Sequence, residues 1–114
     1  MKKSAASGEF VAHVVECLRG LGAVEARRMF GGWGLYHDGV FFALVIRDTL
    51  YLKTDDGNRA EFDARNLEPF TFVKRGETIV TGYRAAPEEA LEDARVMATW
   101  ARGAYAAALR KSRA

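Results

Sequence analysis

The sequence predicts an α+β fold in which a helix, three or four strands, a helix, two strands and a final helix follow one another. Apolar residues recur at three- and four-residue steps near both ends of the chain, which is typical of helices with one buried face. Between these segments lie short apolar runs that read as strands. The connections between the runs are too short for parallel crossovers, so we expect an antiparallel sheet.

Length and composition are those of an ordinary compact protein. The chain has 114 residues, of which 49% are hydrophobic and 28% are charged. We therefore expect a single domain over 1–114, with flexible tails at 1–7 and 111–114. A net charge of +2 is too balanced to indicate nucleic-acid binding by itself.

The sequence also predicts a cytoplasmic protein. It contains neither a secretory signal nor an apolar run of the ~18 residues needed to span a bilayer. The single cysteine, Cys17, excludes an internal disulfide and a cysteine zinc site, and it fits a reducing compartment.

The first helix is predicted over 8–20. Ser7 is a suitable N-cap, and apolar residues from Phe10 to Leu21 then recur with helical spacing. Gly20 or Gly22 can end the helix, because glycine adopts the left-handed backbone of a C-cap without strain.

An antiparallel meander is predicted from Val24 to Lys53. His37, Asp38 and Gly39 form a tight-turn signal between two strands. The nearly continuous apolar run 40–46 indicates a central strand buried on both faces. Within it we expect Phe42 in the core, where Phe42→Ala should cost roughly 3–5 kcal/mol.

The rest of the chain predicts a short helix over 57–65, a second hairpin with strands at 70–73 and 78–83, and a long helix from Pro87 to about Arg110. Proline suits a first helical position, and Glu88 and Glu89 complement the helix dipole there. Alanine dominates the apolar stripe of this last helix, so we expect a close neighbour along it.

Catalytic and metal-binding patterns are weak in this sequence. His13 and Cys17 have the spacing of helical metal ligands, but a packed cysteine beside a partly exposed histidine is the favoured interpretation. His37 is expected at the surface, in a turn. Asp55 and Asp56 resemble a capping turn more than a metal or acid–base pair. We therefore predict no enzyme, no catalytic or metal-binding residue and no cofactor.

Arg27 and Arg28 precede Trp33 and Tyr36, and this combination could contact phosphates and stack on bases. The favoured interpretation is structural, with one arginine in solvent and the other against an aromatic ring. The candidate nucleic-acid contacts are Arg27, Arg28, Arg75 and Arg84. The predicted sheet carries many aromatic residues for its size, so some of them could form a partner surface.

Three glycines lie within four positions around Trp33. A phosphate-binding loop is a poor match, because the strand–loop–helix context and the P-loop lysine are missing. We expect Gly31 and Gly34 to be required by a left-handed backbone or by close packing, so that Gly34→Val destabilises the fold by more than ~1 kcal/mol.

This glycine-rich segment opens a series of motifs that resembles the TfoX N-terminal domain family from about Val24 to Arg110. The matching residues are Arg28, Met29, Phe30, Gly31, Gly34, Tyr36, Gly39, Phe42, Lys53, Pro69, Phe70, Tyr83 and Trp100. The resemblance implies a fold similar to that of type III secretion chaperones, which often pair as dimers. It provides no catalytic residues.

The family is linked to the regulation of bacterial competence. Its full-length members carry a second, C-terminal domain that acts alongside a cyclic-AMP receptor protein, and this chain ends at Ala114 without one. The resemblance thus implies a stand-alone N-domain that regulates competence or transcription through protein contacts, as a homodimer. Its expected partner is the transcription machinery or a cyclic-AMP receptor-type regulator. A chaperone-like adaptor or self-associating module and, more weakly, a direct DNA-binding protein are the alternatives.

Overall fold

Six strands form one antiparallel sheet, and three helices lie on one of its faces. The computed structural model describes residues 5–29 and 31–113. The helices are α1 (Ala5–Cys17), α2 (Arg59–Ala64) and α3 (Ala94–Arg113), and the strands are β1 (Glu25–Met29), β2 (Gly32–His37), β3 (Val40–Ile46), β4 (Thr49–Lys53), β5 (Pro69–Lys74) and β6 (Glu77–Ala85). The strand order is β1-β2-β3-β4-β6-β5. The predicted α+β class and antiparallel sheet are confirmed.

The core lies between the sheet and the helices. Its strand residues include Leu35, Phe42 and Leu52, each fully buried. Helix α3 contributes a stripe of buried alanines, Ala98, Ala101, Ala104 and Ala108. These small side chains let α3 approach its neighbours closely, as expected: a β-carbon on Gly20 would lie 3.0 Å from that of Ala98.

A bulge in β3 decides which residues face the helices. Tyr36 pairs with Phe41 and Leu35 with Ala43, so Phe42 is an extra residue in the strand. Its ring meets that of Tyr105 in α3 edge-on, with centroids 6.0 Å apart. After the bulge, Ala43 and Val45 face the helices, and Leu44 and Ile46 point to the other side of the sheet. We call the two surfaces the helix face and the open face.

The predicted hairpin turns form, with left-handed backbone at their centres. Asp38 and Gly39 have φ values of 50° and 78°, and Arg75 and Gly76 have 53° and 81°. This geometry matches the twist of a two-residue hairpin turn. The turn between β3 and β4 has the same character, with Arg47 at 48° and Asp48 at 61°.

The predicted start of the last helix is wrong. Residues Glu88–Leu91 form a separate 3-10 turn after Pro87, and α3 begins only at Ala94. The cap is Asp93, whose Oδ1 accepts a hydrogen bond of 2.8 Å from the backbone N–H of Arg95. The helix runs on through 111–113, so these residues are not a tail.

The start of the first helix also differs from the prediction. Ser7 lies inside α1, which begins at Ala5, and a 3-10 turn, Leu18–Gly20, follows it. Residues 5–7 are therefore helical, while the predicted tail at 1–4 lies outside the described residues. Gly22, with φ of 137°, has the positive backbone angle expected near the end of this segment.

His37 is not at the surface, contrary to the prediction. Only 15% of its side chain is exposed. Its Nδ1 lies 2.7 Å from the carbonyl oxygen of Ala23, and its ring packs edge-on against Tyr105, with centroids 4.9 Å apart. As the last residue of β2 it shares the helix face with Leu35, which explains its burial.

Candidate binding face

The open face of the sheet is lined with aromatic rings. The rings of Tyr36 and Phe41 lie 5.1 Å apart between centroids, and Phe41 and Tyr83 are 5.7 Å apart. Nearer the other edge, Tyr51 and Phe70 are separated by 5.2 Å. Alternation along each strand produces this arrangement, because the intervening residues belong to the helix face.

Two cations lie over the tyrosines of this face. The guanidinium of Arg27 is 4.4 Å from the ring centre of Tyr36, and Lys53 Nζ is 5.0 Å from that of Tyr83. Burial raises the pKa of Tyr83 to about 12. The pKa of Lys53 is lowered, mainly by burial and to a smaller extent by the positive charge of Lys111. Tyr83 therefore keeps its proton at neutral pH and is unsuited to act as a base.

A cavity of about 930 Å³ lies on the open face. Its walls are mainly apolar, and its lining residues are Met29, Leu44, Ile46, Arg47, Phe70, Thr71, Phe72, Val73, Lys74 and Thr78. Met29 belongs to β1 and Phe72 to β5, which are the two outer strands of the sheet. The sheet therefore curls enough for both of its edges to line one cavity.

The charged groups in the cavity wall are all cationic. Arg47 comes from the turn between β3 and β4, and Lys74 from the end of β5. No carboxylate is among the lining residues, and within the described ranges neither cation forms an ion pair. The cavity therefore favours anionic or neutral groups over cationic ones.

The hairpin of β5 and β6 exposes apolar side chains at this cavity and beside it, since Phe72 and Val73 also line it. Phe72, Val73 and Val80 are 42%, 70% and 65% exposed. Strand β5 is also an outer strand, so its far edge is not paired with another described strand. Exposed apolar residues on an unpaired edge are typical of a surface that binds another chain.

Gly31 and Gly34 are required for different reasons, one for its backbone conformation and the other for close packing. Gly31 has φ of 79° with open space around it, so its requirement is conformational. Gly34 has no positive φ, but a β-carbon there would lie 2.6 Å from Met29 Sδ and 3.0 Å from Phe41 Cε1. Gly32, which the sequence did not single out, is packed tightly against the carbonyl oxygen of Val45.

The other signature residues divide between the two faces. Phe42 and Trp100 belong to the helix side, where Trp100 packs edge-on against Phe62 at 4.9 Å. Met29 and Phe70 line the cavity. Pro69 begins β5, and Phe30 lies outside the described residues.

The four arginines predicted as nucleic-acid contacts do not form one surface. Arg27 lies on the open face and is paired with Glu25, whereas Arg28 lies on the helix face, 5.0 Å from the ring centre of Trp33. Both arginines thus lie over aromatic rings, whereas only one of them was expected to do so.

The remaining two arginines differ in burial and in their contacts. Arg84 is 16% exposed, pairs with Asp63 at 2.9 Å and donates to the Leu67 carbonyl at 2.6 Å. Arg75 is exposed at the hairpin turn. This separation leaves no shared basic patch among the four.

The candidate chemical groups are held in structural contacts. Cys17 Sγ lies 3.5 Å from His13 Nε2 and 3.4 Å from the Leu91 carbonyl, and burial raises the pKa of the thiol. Asp55 accepts hydrogen bonds from Arg110 Nε at 2.6 Å and from the Gly57 amide at 2.8 Å. Across 5–29 and 31–113, no three histidine, cysteine or acidic side chains are grouped to hold a metal.

Sequence reasoning missed most of the cavity wall, including Arg47, Leu44, Ile46 and Lys74. Alternation places Leu44 and Ile46 on a common face of β3, but the bulge at Phe42 decides that this is the open face. Nothing in the sequence indicates that β1 and β5, some 40 positions apart, line the same space.

The sequence matches a known protein family. The family model for the TfoX N-terminal domain matches residues 16–108, a span that contains all six strands. No curated protein matches the chain. Among the helices within the described ranges, none combines the length and apolarity needed to cross a bilayer.

Proposed function

We propose that the chain, which belongs to the TfoX N-terminal domain family, is a non-enzymatic cytoplasmic module that regulates competence or transcription by binding a protein partner. The family assignment supports the regulatory role. The binding mode is argued from the shape and exposure of the sheet's outer hairpin.

The observation that carries the proposal is the apolar surface of the β5–β6 hairpin. Val73 and Val80 are mostly exposed and lie on the same face of the hairpin, since Val80 pairs with Thr71, two positions before Val73. Phe72 points to the other face, opposite Ile79. Burying these side chains under a partner is favourable by about 25 cal/mol per Å² of apolar surface.

A binding role is also supported by the contacts of the carboxylates and the thiol, which are already held by other groups of the protein. The carboxylates of Asp55 and Asp63 are paired with arginines, and the Cys17 thiol is buried with a raised pKa. A catalytic acid, base or nucleophile needs a free path to substrate and a pKa near the working pH.

The test is affinity capture from a nuclease-treated lysate of the source cell, followed by mass spectrometry. The bait is the full chain, compared with the double variant Val73→Asp, Val80→Asp. The matched control is Ala60→Asp, Thr99→Asp, which adds the same charge at exposed helical positions. We expect the wild type and the control to enrich RNA polymerase or a cyclic-AMP receptor-type regulator, and the hairpin variant to lose it.

Two outcomes would contradict the proposal. Equal recovery by all three baits would exclude the hairpin as the contact surface, and enrichment of no transcription protein would remove the regulatory role. Separately, turnover of a substrate by the pure protein, abolished by a cavity substitution, would make the chain an enzyme.

Self-association is the second candidate function, because the far edge of β5 is unpaired within the described part of the chain. Two copies could join through these edges into one continuous sheet. Light scattering after size-exclusion chromatography should then give a dimer that Val73→Asp, Val80→Asp converts to monomer. A wild-type monomer at all concentrations tested would exclude the homodimer.

A further inference from the structure

We propose that the cavity of the open face binds a single-chain amphiphile with an anionic head group, of the class of alkyl carboxylates. This ligand site shares Phe72 and Val73 with the proposed protein contact, but it does not depend on the regulatory role. The proposal rests on the volume of the cavity, the chemistry of its walls and the placement of its two cations.

The volume and the walls suit an alkyl chain. A cavity of about 930 Å³ falls in the range of 300–1,000 Å³ typical of small-molecule sites. Leu44 and Ile46 line the cavity from β3, and Phe70 and Phe72 line it from β5. These strands are not neighbours in the sheet, so an alkyl chain in the cavity would contact side chains from two separate parts of it.

The two cations suit an anionic head group. Arg47 and Lys74 reach the same cavity from different parts of the fold, and neither has a carboxylate partner among the described residues. A guanidinium can bind a carboxylate through two parallel hydrogen bonds, which are stronger than bonds between neutral groups. The head group would therefore bind to these cations in the cavity wall.

An alkyl chain fits this lining better than a peptide does. Apart from the two cations, the polar side chains in the wall are the hydroxyls of Thr71 and Thr78. A buried peptide needs a partner for each backbone N–H and C=O group, and apart from the unpaired edge of β5 the wall offers it only these two neutral hydroxyls. An alkyl chain has no polar groups to satisfy.

The experiment is isothermal titration calorimetry of the full chain with octanoate, decanoate and dodecanoate, each below its micelle-forming concentration. Burial of each added methylene should raise the affinity roughly fourfold. Dodecyltrimethylammonium, with the same alkyl chain and a cationic head, should bind at least about tenfold more weakly than dodecanoate.

The variants locate the head group. Arg47→Glu, Lys74→Glu should weaken dodecanoate binding at least about tenfold and should not weaken binding of the cationic amphiphile. Arg75→Glu is the matched control, because Arg75 is adjacent to Lys74 but does not line the cavity. It should leave the dodecanoate affinity unchanged.

Methyl NMR on the wild-type chain tests the location without relying on a variant that folds. Dodecanoate should shift the methyl signals of Leu44 and Ile46 and leave those of Val80 unchanged. Affinity that is independent of alkyl length, equal binding of both head groups, or shifts confined to Val80 would each overturn the proposal. None of these results bears on the partner captured by the hairpin.

Discussion

The helix face and the open face are built from the same strands but are filled in different ways. On the helix face, Leu35, Phe42 and Leu52 are fully buried beneath the alanine stripe of α3. On the open face, the rings of Tyr36 and Phe41 are half-buried, and the same face carries a cavity of about 930 Å³. The difference indicates that the helix face supplies most of the folding stability, and that the open face is available for binding.

The largest expected contrast comes from removing one phenylalanine ring on each side. Phe42→Ala should lower the free energy of unfolding by about 3–5 kcal/mol, since the ring is fully buried against α3. Phe72→Ala should cost less than ~1 kcal/mol, because 42% of that residue is exposed. Urea denaturation measures both, and similar losses would mean that the open face contributes equally to stability.

The second prediction concerns glycines beneath the open face. Gly32→Ala should destabilise the fold by about 1–3 kcal/mol, because its new methyl group would press on the backbone oxygen of Val45. Gly34→Ala should cost less, because the atoms that it meets belong to the side chains of Met29, Phe41 and Tyr36. Thermal unfolding of the two variants compares them, and the reverse order would show that the strand backbone yields more easily than these side chains.

The third prediction concerns the ion pair that joins the loop after β4 to α3. Arg110 hydrogen bonds hold the pKa of Asp55 at about 2, below the ordinary value of 3.8. A carboxylate with a lowered folded-state pKa stabilises the fold above its unfolded-state pKa. That stability is lost as pH falls from about 4 to about 2.

Asp55→Asn should therefore cost about 1 kcal/mol near neutral pH and almost nothing near pH ~2. Urea denaturation across this pH range measures the difference. The matched control is Asp56→Asn, because the Asp56 side chain is 97% exposed and its pairing with Arg59 should contribute little. A loss for Asp55→Asn that is the same at both ends of the range would contradict the assignment.

The smallest expected effect lies on the outer hairpin. Val73→Ser and Val80→Ser should each change the free energy of unfolding by less than ~0.5 kcal/mol, because both valines are mostly exposed. Chemical denaturation checks this expectation. A loss above ~1 kcal/mol would place the valines in a packed surface and weaken their proposed role in partner binding.

The order of elements and most strand boundaries follow from local chemistry, so the sequence predicts them. Asp38 and Gly39 define their turn unaided, and the run 40–46 is a central strand as predicted. The start of α3 was missed because Pro87 followed by two glutamates is typical of a helix start, although here Pro87 caps a 3-10 turn that the glutamates begin.

The candidate site was harder to predict because it depends on tertiary geometry. The bulge at Phe42 reverses the alternation of β3, and a continuous apolar run gives no sign of it. The cavity requires the curl that allows Met29 and Phe72 to line one space. His37 was misplaced for a related reason, because its burial depends on Tyr105 from α3.

The join between β4 and β6 has a consequence for motion. These strands pair over three positions, from Tyr51 with Ala85 to Lys53 with Tyr83, and one more backbone hydrogen bond extends the join at each end. Few backbone hydrogen bonds therefore have to open for the hairpin to separate from the β1–β4 meander, whose contacts are local in sequence. Amide hydrogens of Thr54 and Ala86, which donate across this join, should exchange with solvent through such partial openings. That of Val45, inside the meander, should exchange only when the whole molecule unfolds.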